Sequence, residues 1–209
     1  AAVETAELAE ASAEQAKLAR RQALASAESR IEQARTGLAR REIELAELTD
    51  VKGRRLLHLQ CHFGLDTLSW ARLGADCTGV DISPVAIAKA RQLNETAGLD
   101  ATFVCTDVYG YSRGDAAPFD IVFTSYGAIC WLPDLDRWAR IVSENLAAGG
   151  VFYMADFHPV YDLLDGYPYF EQDEPDVEEE ETYTENGGGL KTPLAVWSHP
   201  MGRVVNALI

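Results

Sequence analysis

Between residues 54 and 155, short apolar runs alternate with segments whose apolar residues recur at helical spacing. The apolar runs are predicted strands, at residues 56–61, 77–80, 101–105, 121–124 and 151–155. A helix between successive strands returns the chain to the same edge of a sheet, which makes neighbouring strands parallel. The sequence therefore predicts an α/β fold with a doubly wound, mostly parallel sheet, and such sheets bind ligands at the carboxyl ends of their strands.

Local signals predict the ends of the two clearest helices. Ser83 followed by Pro84 indicates a helix start, with serine as the N-cap and proline at the first helical position. Gly98 predicts the end of that helix. Asp134 predicts the cap of the next one, whose apolar residues recur at spacings of three and four, and the glycine pair at residues 149–150 is expected to end it.

The segment before this core has a different composition. Residues 1–35 contain no Gly, Pro or aromatic residue and consist mainly of good helix formers. They predict a long helix with a thin apolar stripe, which Gly37 is expected to break before a second helix at residues 38–48. Residues 1–48 are thus predicted to be an N-terminal helical segment, solvated or packed along an edge, with a coiled-coil partner as the alternative.

The last part of the chain is strongly acidic. Residues 156–190 contain twelve acidic residues and neither Lys nor Arg, and they supply most of the net charge of −15. Such a surface repels phosphate backbones, so nucleic acid is a poor candidate partner. We predict an α/β core at residues 49–160, followed at residues 161–209 by an acidic lid and part of a substrate region.

Within the lid, the four glutamates at residues 178–181 lack the alternating oxygen ligands and the glycine of a calcium-binding loop. Because like charges repel, we expect an extended, solvated and mobile segment that holds no metal. Residues 182–184 are expected to pair with residues 194–197 as a hairpin over the sheet. Residues 200–209 are expected to begin a helix.

The sequence shows neither an apolar run long enough to cross a bilayer nor an opening signal peptide, so we expect a cytoplasmic protein that does not contact membranes. The four cysteines lie far apart without a CxxC pair. Most fall in or beside predicted strands, where a free thiol behaves as a small hydrophobic group, so a structural role is expected for them.

Two acidic residues occupy the predicted carboxyl ends of strands. Asp81 follows the second strand, about 20 residues beyond the turn after the first, where a carboxylate can accept both hydroxyls of a ribose. Asp107 follows the third strand, where it can accept from an adenine amino group. The turn after the first strand brings backbone N–H groups close to a ligand. Together these features predict a site for an adenosine-containing molecule.

Over residues 36–209 the chain resembles the class I S-adenosylmethionine-dependent methyltransferases, whose core is Rossmann-like. The stretch LLHLQCHFGLDTLSWARLGADCTGVDISPVAIAKAR is similar to the first two motifs of that family, and FDIVFTSYGAICWLPDL to the fourth. Where the first motif usually has an acidic residue and three glycines, this chain has His58, Gln60, His62 and Gly64. The variant LHLQCHFG is identified with a bacterial branch. Members usually continue with two strands that close the sheet, and this sheet is expected to lack that strand pair.

The resemblance implies S-adenosylmethionine as cofactor and a small-molecule methyl acceptor. The implied cofactor-binding residues are His58, Gln60, His62, Gly64, Asp81, Ile82, Asp107, Val108 and Ser125. In this assignment Asp81 binds the ribose, Ile82 packs on the adenine, and Ser125 borders the methyl-transfer cleft. His158 and Tyr126 are the catalytic candidates, with His158 as a general base.

Each assignment has a structural alternative. Asp81 could cap the helix that begins at Pro84, Asp107 could be a turn residue, and His58 could be a buried core histidine. His199 could face the cleft or cap a helix. For the whole chain, the alternatives are a methyltransferase-like domain that binds the nucleoside without turnover and an NAD-dependent oxidoreductase. The missing GxGxxG sequence argues against the oxidoreductase, and the sequence leaves the acceptor atom and the oligomeric state open.

Overall fold

The first part of the chain is one long helix. In the computed structural model, which describes residues 2–48, 50–164, 166–181 and 191–209, the chain divides into two units, residues 1–50 and 51–209. The first unit contains α1 (Ala2–Leu48). The predicted break at Gly37 is wrong, because α1 continues through it. A glycine inside a helix costs only about 0.5–1 kcal/mol relative to alanine, and the good helix formers around it offset that cost.

The second unit contains a five-stranded parallel sheet, as the sequence predicts. Its strands are β1 (Arg55–Leu59), β2 (Asp76–Asp81), β3 (Thr102–Cys105), β4 (Phe119–Ser125) and β5 (Leu146–Ala155). Their order is β3-β2-β1-β4-β5, and every neighbouring pair is parallel. The crossovers carry α2 (Leu65–Arg72), α3 (Pro84–Ala97) and α4 (Leu135–Asn145). The chain reverses its direction of winding between β1 and β4, and ligands bind in the crevice at such a switch point.

The predicted helix caps are confirmed. Ser83 Oγ accepts a hydrogen bond from Ala86 N at 3.2 Å, and Gly98 ends α3 in the left-handed region at φ 62°. Asp134 Oδ1 accepts from Arg137 N at 2.9 Å at the start of α4. Each cap depends on a side chain within three residues of its partner, which explains why local sequence was sufficient.

The end of α4 differs from the prediction. The helix stops at Asn145 and β5 begins at once, so the glycine pair lies inside the strand. The pairing of β4 with β5 shifts register there, from Phe119 opposite Leu146 to Ile121 opposite Val151. Gly149 supplies the positive φ of 77° that this irregularity needs, because a residue without a Cβ adopts that conformation at little cost.

The acidic segment contains a strand. The strand β6 (Asp176–Glu181) pairs antiparallel with β7 (Lys191–Val196) in a separate two-stranded sheet. Residues 176–181 are extended, as expected, and they are also paired with β7 through main-chain hydrogen bonds, which do not depend on side-chain charge. The strand expected at 194–197 is found within β7, whereas residues 182–184 lie outside the described residues. Among the described strands of the parallel sheet, β5 is the edge strand beside β4, and β3 is the opposite edge strand.

The C-terminal helix anchors the last segment to the core. The short helix α5 (Val160–Leu164) follows β5, and α6 (Met201–Leu208) confirms the helix predicted near Pro200. Val204 is buried in the same cluster as Trp138 and Val142 of α4. Arg203 of α6 donates to both carboxylate oxygens of Asp136, at 2.8 and 2.9 Å. No helix of the described chain is both long enough and apolar enough to cross a membrane.

Candidate functional site

The turn between β1 and α2 has an unusual backbone. Gln60, His62 and Gly64 have φ values of 58°, 50° and 72°, in the left-handed region. A Cβ on Gly64 would lie 2.5 Å from Phe103 Cε1, so this turn packs too closely on β3 to accept a side chain. Gln60 and His62 hold side chains in a conformation that costs a non-glycine residue about 1–2 kcal/mol.

The carboxylate of Asp81 joins this turn to β2. Its Oδ2 accepts from the backbone N–H of His62 at 2.8 Å, and its Oδ1 accepts from Ser83 N at 2.9 Å. Each carboxylate oxygen has a second lone pair left for a ligand. The N-cap of α3 is Ser83, so Asp81 is not the helix cap that the structural alternative required.

A second turn, after β4, faces the first. Gln60 Nε2 donates to Ala128 O at 2.6 Å, which ties the two turns together. Gln60 Oε1 is buried and has no hydrogen-bond partner among the described residues. Tyr126, with a φ of 51°, donates its backbone N–H to Ala155 O at 2.6 Å and so fixes the turn to the end of β5.

His58 is a buried core histidine that also reaches the site. Its ring is 2% exposed and lies edge-on to Phe123. Nδ1 lies 2.8 Å from Thr67 Oγ1, and Nε2 lies 3.3 Å from Ser125 Oγ. Ser125 Oγ in turn lies 3.3 Å from Asp66 Oδ2, to which it donates. This chain of contacts orients Asp66, in the first turn of α2, a residue that the sequence analysis missed.

Asp107 is both a turn residue and part of the site. Its Oδ1 accepts from Tyr109 N at 3.0 Å and starts the 3₁₀ turn Val108–Gly110. Val108 is buried in the core beneath it, whereas Ile82 is 69% exposed.

Two overlapping cavities run along these strand ends, and together they are called the cofactor cavity because predicted cofactor-binding residues line them. The larger, of about 720 Å³, has walls that include Asp66, Asp81 and Ser125. The smaller, of about 260 Å³, has walls that include Asp81, Asp107 and Val108. The walls of one or both contain most predicted cofactor-binding residues: His58, Gln60, His62, Asp81, Ile82, Asp107, Val108 and Ser125. Tyr126 also lines the larger part. Gly64 is in neither wall; it packs closely on Phe103.

The structure does not bring His158 to this site. Its side chain is exposed, and its Nδ1 accepts from Val160 N at 3.2 Å within its own loop. Neither wall of the cofactor cavity includes this residue. The general-base assignment of His158 stays a prediction, which this position of the side chain does not support.

Asp156, directly after β5, is a second residue that the sequence analysis missed. Its carboxylate accepts from the backbone N–H groups of Gly127, Ala128, Ile129 and Phe157, at 2.6 to 3.3 Å. It thereby holds the whole turn after β4 in place. Its position at a strand end was the signal that could have identified it.

The cysteines near the site are not reactive thiolates. Burial, followed by the negative charge of Asp81, raises the pKa of Cys61 to about 12. Burial, followed by Asp156 and Asp162, raises the pKa of Cys130 to about 12. Both thiols stay protonated near neutral pH, which excludes them as nucleophiles. Within the described residues, no group of three or more His, Cys, Asp or Glu side chains is placed to hold a metal ion.

Comparison with known proteins finds a family match within the second unit. Residues 56–150 match the family model described as a methyltransferase domain. Residues 56–150 of the chain are a methyltransferase domain. The match spans the strands and turns that form the cofactor cavity, from β1 into the start of β5.

Relatives of this methyltransferase domain share its core sequence. A ubiquinone biosynthesis O-methyltransferase of Xanthomonas axonopodis pv. citri is 29% identical over 103 residues, which are 49% of this chain and 43% of that protein. Methyltransferase phqN of Penicillium fellutanum is 31% identical over 159 residues, 73% of this chain and 45% of that protein. The chain thus spans less than half the length of these curated relatives.

Solved structures share the fold of the methyltransferase domain. An S-adenosylmethionine-dependent methyltransferase from Clostridium acetobutylicum has a TM-score of 0.61 at 17% identity, covering 79% of this chain and 74% of its own. The PH0226 protein from Pyrococcus horikoshii has a TM-score of 0.63 at 21% identity, covering 84% and 80%.

Proposed function

We propose that this protein transfers a methyl group from S-adenosylmethionine to a small molecule. The observation that carries the proposal is the order of three carboxylates along the cofactor cavity. Asp66 lines the larger part, Asp107 lines the smaller part, and Asp81 lines both. An ammonium group, a ribose diol and an adenine amino group are the donors of S-adenosylmethionine, and they follow one another in the same order.

The residues present fit the nucleoside half of this cofactor. Asp81 is held by two backbone N–H groups and keeps lone pairs for the ribose hydroxyls. The exposed side chain of Ile82 offers an apolar surface to the adenine ring, and Asp107 accepts from its amino group. The buried Oε1 of Gln60, without a partner among the described residues, is an acceptor that a ligand donor would satisfy.

Asp66 is the residue that we assign to the methionine ammonium group. The family's acidic position is occupied here by His58, whose ring nitrogens face Thr67 and Ser125. Asp66 presents a carboxylate in the wall of the same cavity, and its hydrogen bond from Ser125 fixes its orientation. The carboxylate is thus supplied eight positions later in the chain, in the first turn of α2, with His58 as a positioning residue that contacts Ser125.

When bound, S-adenosylmethionine supplies an electrophilic methyl group on a sulfonium. The work of the protein is then to align an acceptor with that group and to exclude water. Ser125 and Tyr126, at the end of β4, border the cavity where the acceptor must approach. A small molecule is the proposed methyl acceptor, because the acidic surface of the protein disfavours nucleic acid.

Calorimetry with two ligands tests the cofactor assignment. S-adenosylhomocysteine contains the amino acid, and 5′-methylthioadenosine lacks it. Asp81→Asn should weaken both ligands by roughly 1.5–3 kcal/mol, since each loses hydrogen bonds to a charged group. Asp66→Asn should weaken S-adenosylhomocysteine alone. Asp115→Asn, at an exposed aspartate outside the cavity, is the matched control.

Equal affinities in all three variants would contradict the proposed cofactor site. A weaker affinity of Asp66→Asn for both ligands would contradict the assignment of the ammonium group only. Turnover is tested separately, by mass spectrometry of a metabolite library incubated with the protein and S-adenosylmethionine. Cofactor binding without any methylated product would favour a binding domain instead.

A further inference from the structure

A third cavity adjoins the cofactor cavity. It has a volume of about 350 Å³ and lies between the turn after β4, the residues after β5 and the C-terminal segment. Gly127, Cys130 and Phe157 belong to its wall and also to the wall of the larger part of the cofactor cavity. A molecule bound here would therefore lie next to the cofactor. The volume is in the range of small-molecule sites, and we call it the acceptor cavity.

The wall of the acceptor cavity combines acids with aromatic rings. Asp156 and Asp162 line it together with Phe157 and Trp197. None of the described residues that line it is a Lys or an Arg. Aromatic faces and carboxylates both attract a cation, whereas an anion would meet only like charge.

The two carboxylates have different roles. The carboxylate of Asp156 accepts hydrogen bonds from four backbone N–H groups, as described above, and thereby holds the turn after β4. Asp162 belongs to α5 and lines the same wall. Cys130 lies in the wall that the two cavities share; burial raises its pKa, and the negative charges of Asp156 and Asp162 raise it further.

His199 adds no positive charge to this wall. It is buried, and its Nε2 donates to Leu132 O at 2.8 Å. Burial lowers its pKa below the usual value, so the ring is neutral near pH 7. Its Nδ1 has no hydrogen-bond partner among the described residues and lies 3.9 Å from Glu171 Oε1. A neutral ring with an unused acceptor suits a ligand that donates hydrogen bonds.

We infer that the acceptor cavity binds a cationic amine with an apolar, ring-sized body, and that Asp162 holds its ammonium group against Phe157 and Trp197. That this amine is the methyl acceptor rests on the proposed function. The preference of the cavity for a cation does not rest on the proposed function, because it depends on Asp156, Asp162 and Trp197, which line this cavity and not the cofactor cavity.

Three probes of similar size test the inference. Phenethylamine is a cation at pH 7, 2-phenylethanol is neutral, and 3-phenylpropanoate is an anion. Their binding is measured by calorimetry and by the change in tryptophan fluorescence, with S-adenosylhomocysteine present. We expect phenethylamine to bind about tenfold more tightly than the alcohol, and the anion to bind more weakly than either. Equal binding, or a preference for the anion, overturns the inference without any variant.

Two variants then locate the cation. Asp162→Asn should remove most of the preference for phenethylamine and leave the affinity for 2-phenylethanol unchanged. Asp173→Asn, at an exposed aspartate outside the wall, should behave as the wild type. If Asp162→Asn keeps the full preference, the assignment of Asp162 is wrong. Circular dichroism checks that both variants are folded, and Asp162→Glu should restore part of the preference.

The same titrations separate this inference from the proposed function. If S-adenosylhomocysteine binds but the three probes do not differ, the cation site is wrong and the cofactor site stands. If phenethylamine is preferred but S-adenosylhomocysteine does not bind, the proposed function fails and the cation site stands.

Discussion

The backbone N–H of His62 donates to the carboxylate of Asp81 at 2.8 Å, so a residue in the left-handed region holds the acid that ends β2. The hydrogen bond needs the backbone of His62 and not its side chain. The imidazole itself is exposed and lies tilted against the ring of Phe63, with an interplanar angle of 38°. The side chain at residue 62 can therefore be changed without removing the hydrogen bond from its backbone N–H to Asp81.

His62→Gly should stabilise the protein by about 1 kcal/mol. Glycine removes the left-handed penalty of about 1–2 kcal/mol, and its greater freedom in the unfolded chain cancels part of that gain. Ala88→Gly, at an exposed site within α3, is the control and should destabilise by about 0.5–1 kcal/mol. Urea denaturation measures both. Equal destabilisation by the two changes would show that His62 carries no backbone strain.

Gly64→Ala should destabilise the protein more than Gly53→Ala. Both glycines have a φ of 72°, so the backbone penalty is the same. A Cβ at residue 64 would meet Phe103 Cε1 at 2.5 Å, whereas a Cβ at residue 53 would meet nothing within 4 Å. Overpacking adds about 1–3 kcal/mol, which denaturant melts will show as a difference between the two variants. Phe103→Leu should reduce that difference, and an unchanged difference would contradict the assigned clash.

Local signals explain why much of this fold was predictable. The caps at Ser83 and Asp134 and the acids at the ends of β2 and β3 depend on neighbours in sequence or on the rule for strand ends. The predicted break at Gly37 was wrong because the helix propensity of the long run of residues around it outweighs the cost of one glycine. The irregular start of β5 was missed because it depends on its register with β4.

The missed site residues depend on contacts between distant parts of the chain. Asp156 accepts from N–H groups 27 to 29 positions earlier in the sequence. Asp66 is oriented by Ser125, 59 positions away, and the predicted site residue Gln60 likewise makes a contact that was not predicted, with Ala128, 68 positions away. No periodicity or local motif encodes such pairs, because they arise only when β1, β4 and β5 assemble side by side.

Alkylation should distinguish one cysteine from the other three. Burial raises the pKa values of Cys61, Cys77 and Cys130 to about 12, so at pH 8 only about one thiol in ten thousand is ionised. Cys105 is exposed. Iodoacetamide should therefore modify the native protein at Cys105 alone and modify all four thiols in denaturant, as read by intact mass. Native Cys105→Ser should stay unlabelled, and rapid labelling at Cys130 would contradict the protonated state of this half-buried thiol.

The imidazole of His199 should make the protein less stable as the pH falls. Burial, the largest effect, lowers its pKa below the usual 6.5, and Arg203 acts in the same direction. The carbonyl of Leu132 and the carboxylate of Glu171 oppose this shift without cancelling it. Between the folded pKa and the unfolded value, the unfolded chain binds more protons. The stabilisation is therefore complete above about pH 6.5 and is lost as the pH falls through the folded pKa.

His199→Gln isolates this contribution, because the glutamine amide can still donate to Leu132 O but does not titrate. Urea melts of both proteins at several pH values from 8 to 5 give two curves of unfolding free energy. Above pH 7 the curves should run parallel, which serves as the internal control for the packing cost of the substitution. Below pH 6.5 the wild-type curve should fall more steeply, by up to about 1.4 kcal/mol per pH unit for one proton. Carboxylates elsewhere titrate equally in both proteins and cancel in the difference. Curves that stay parallel down to pH 5 would show that His199 takes up its proton equally in the folded and unfolded chains.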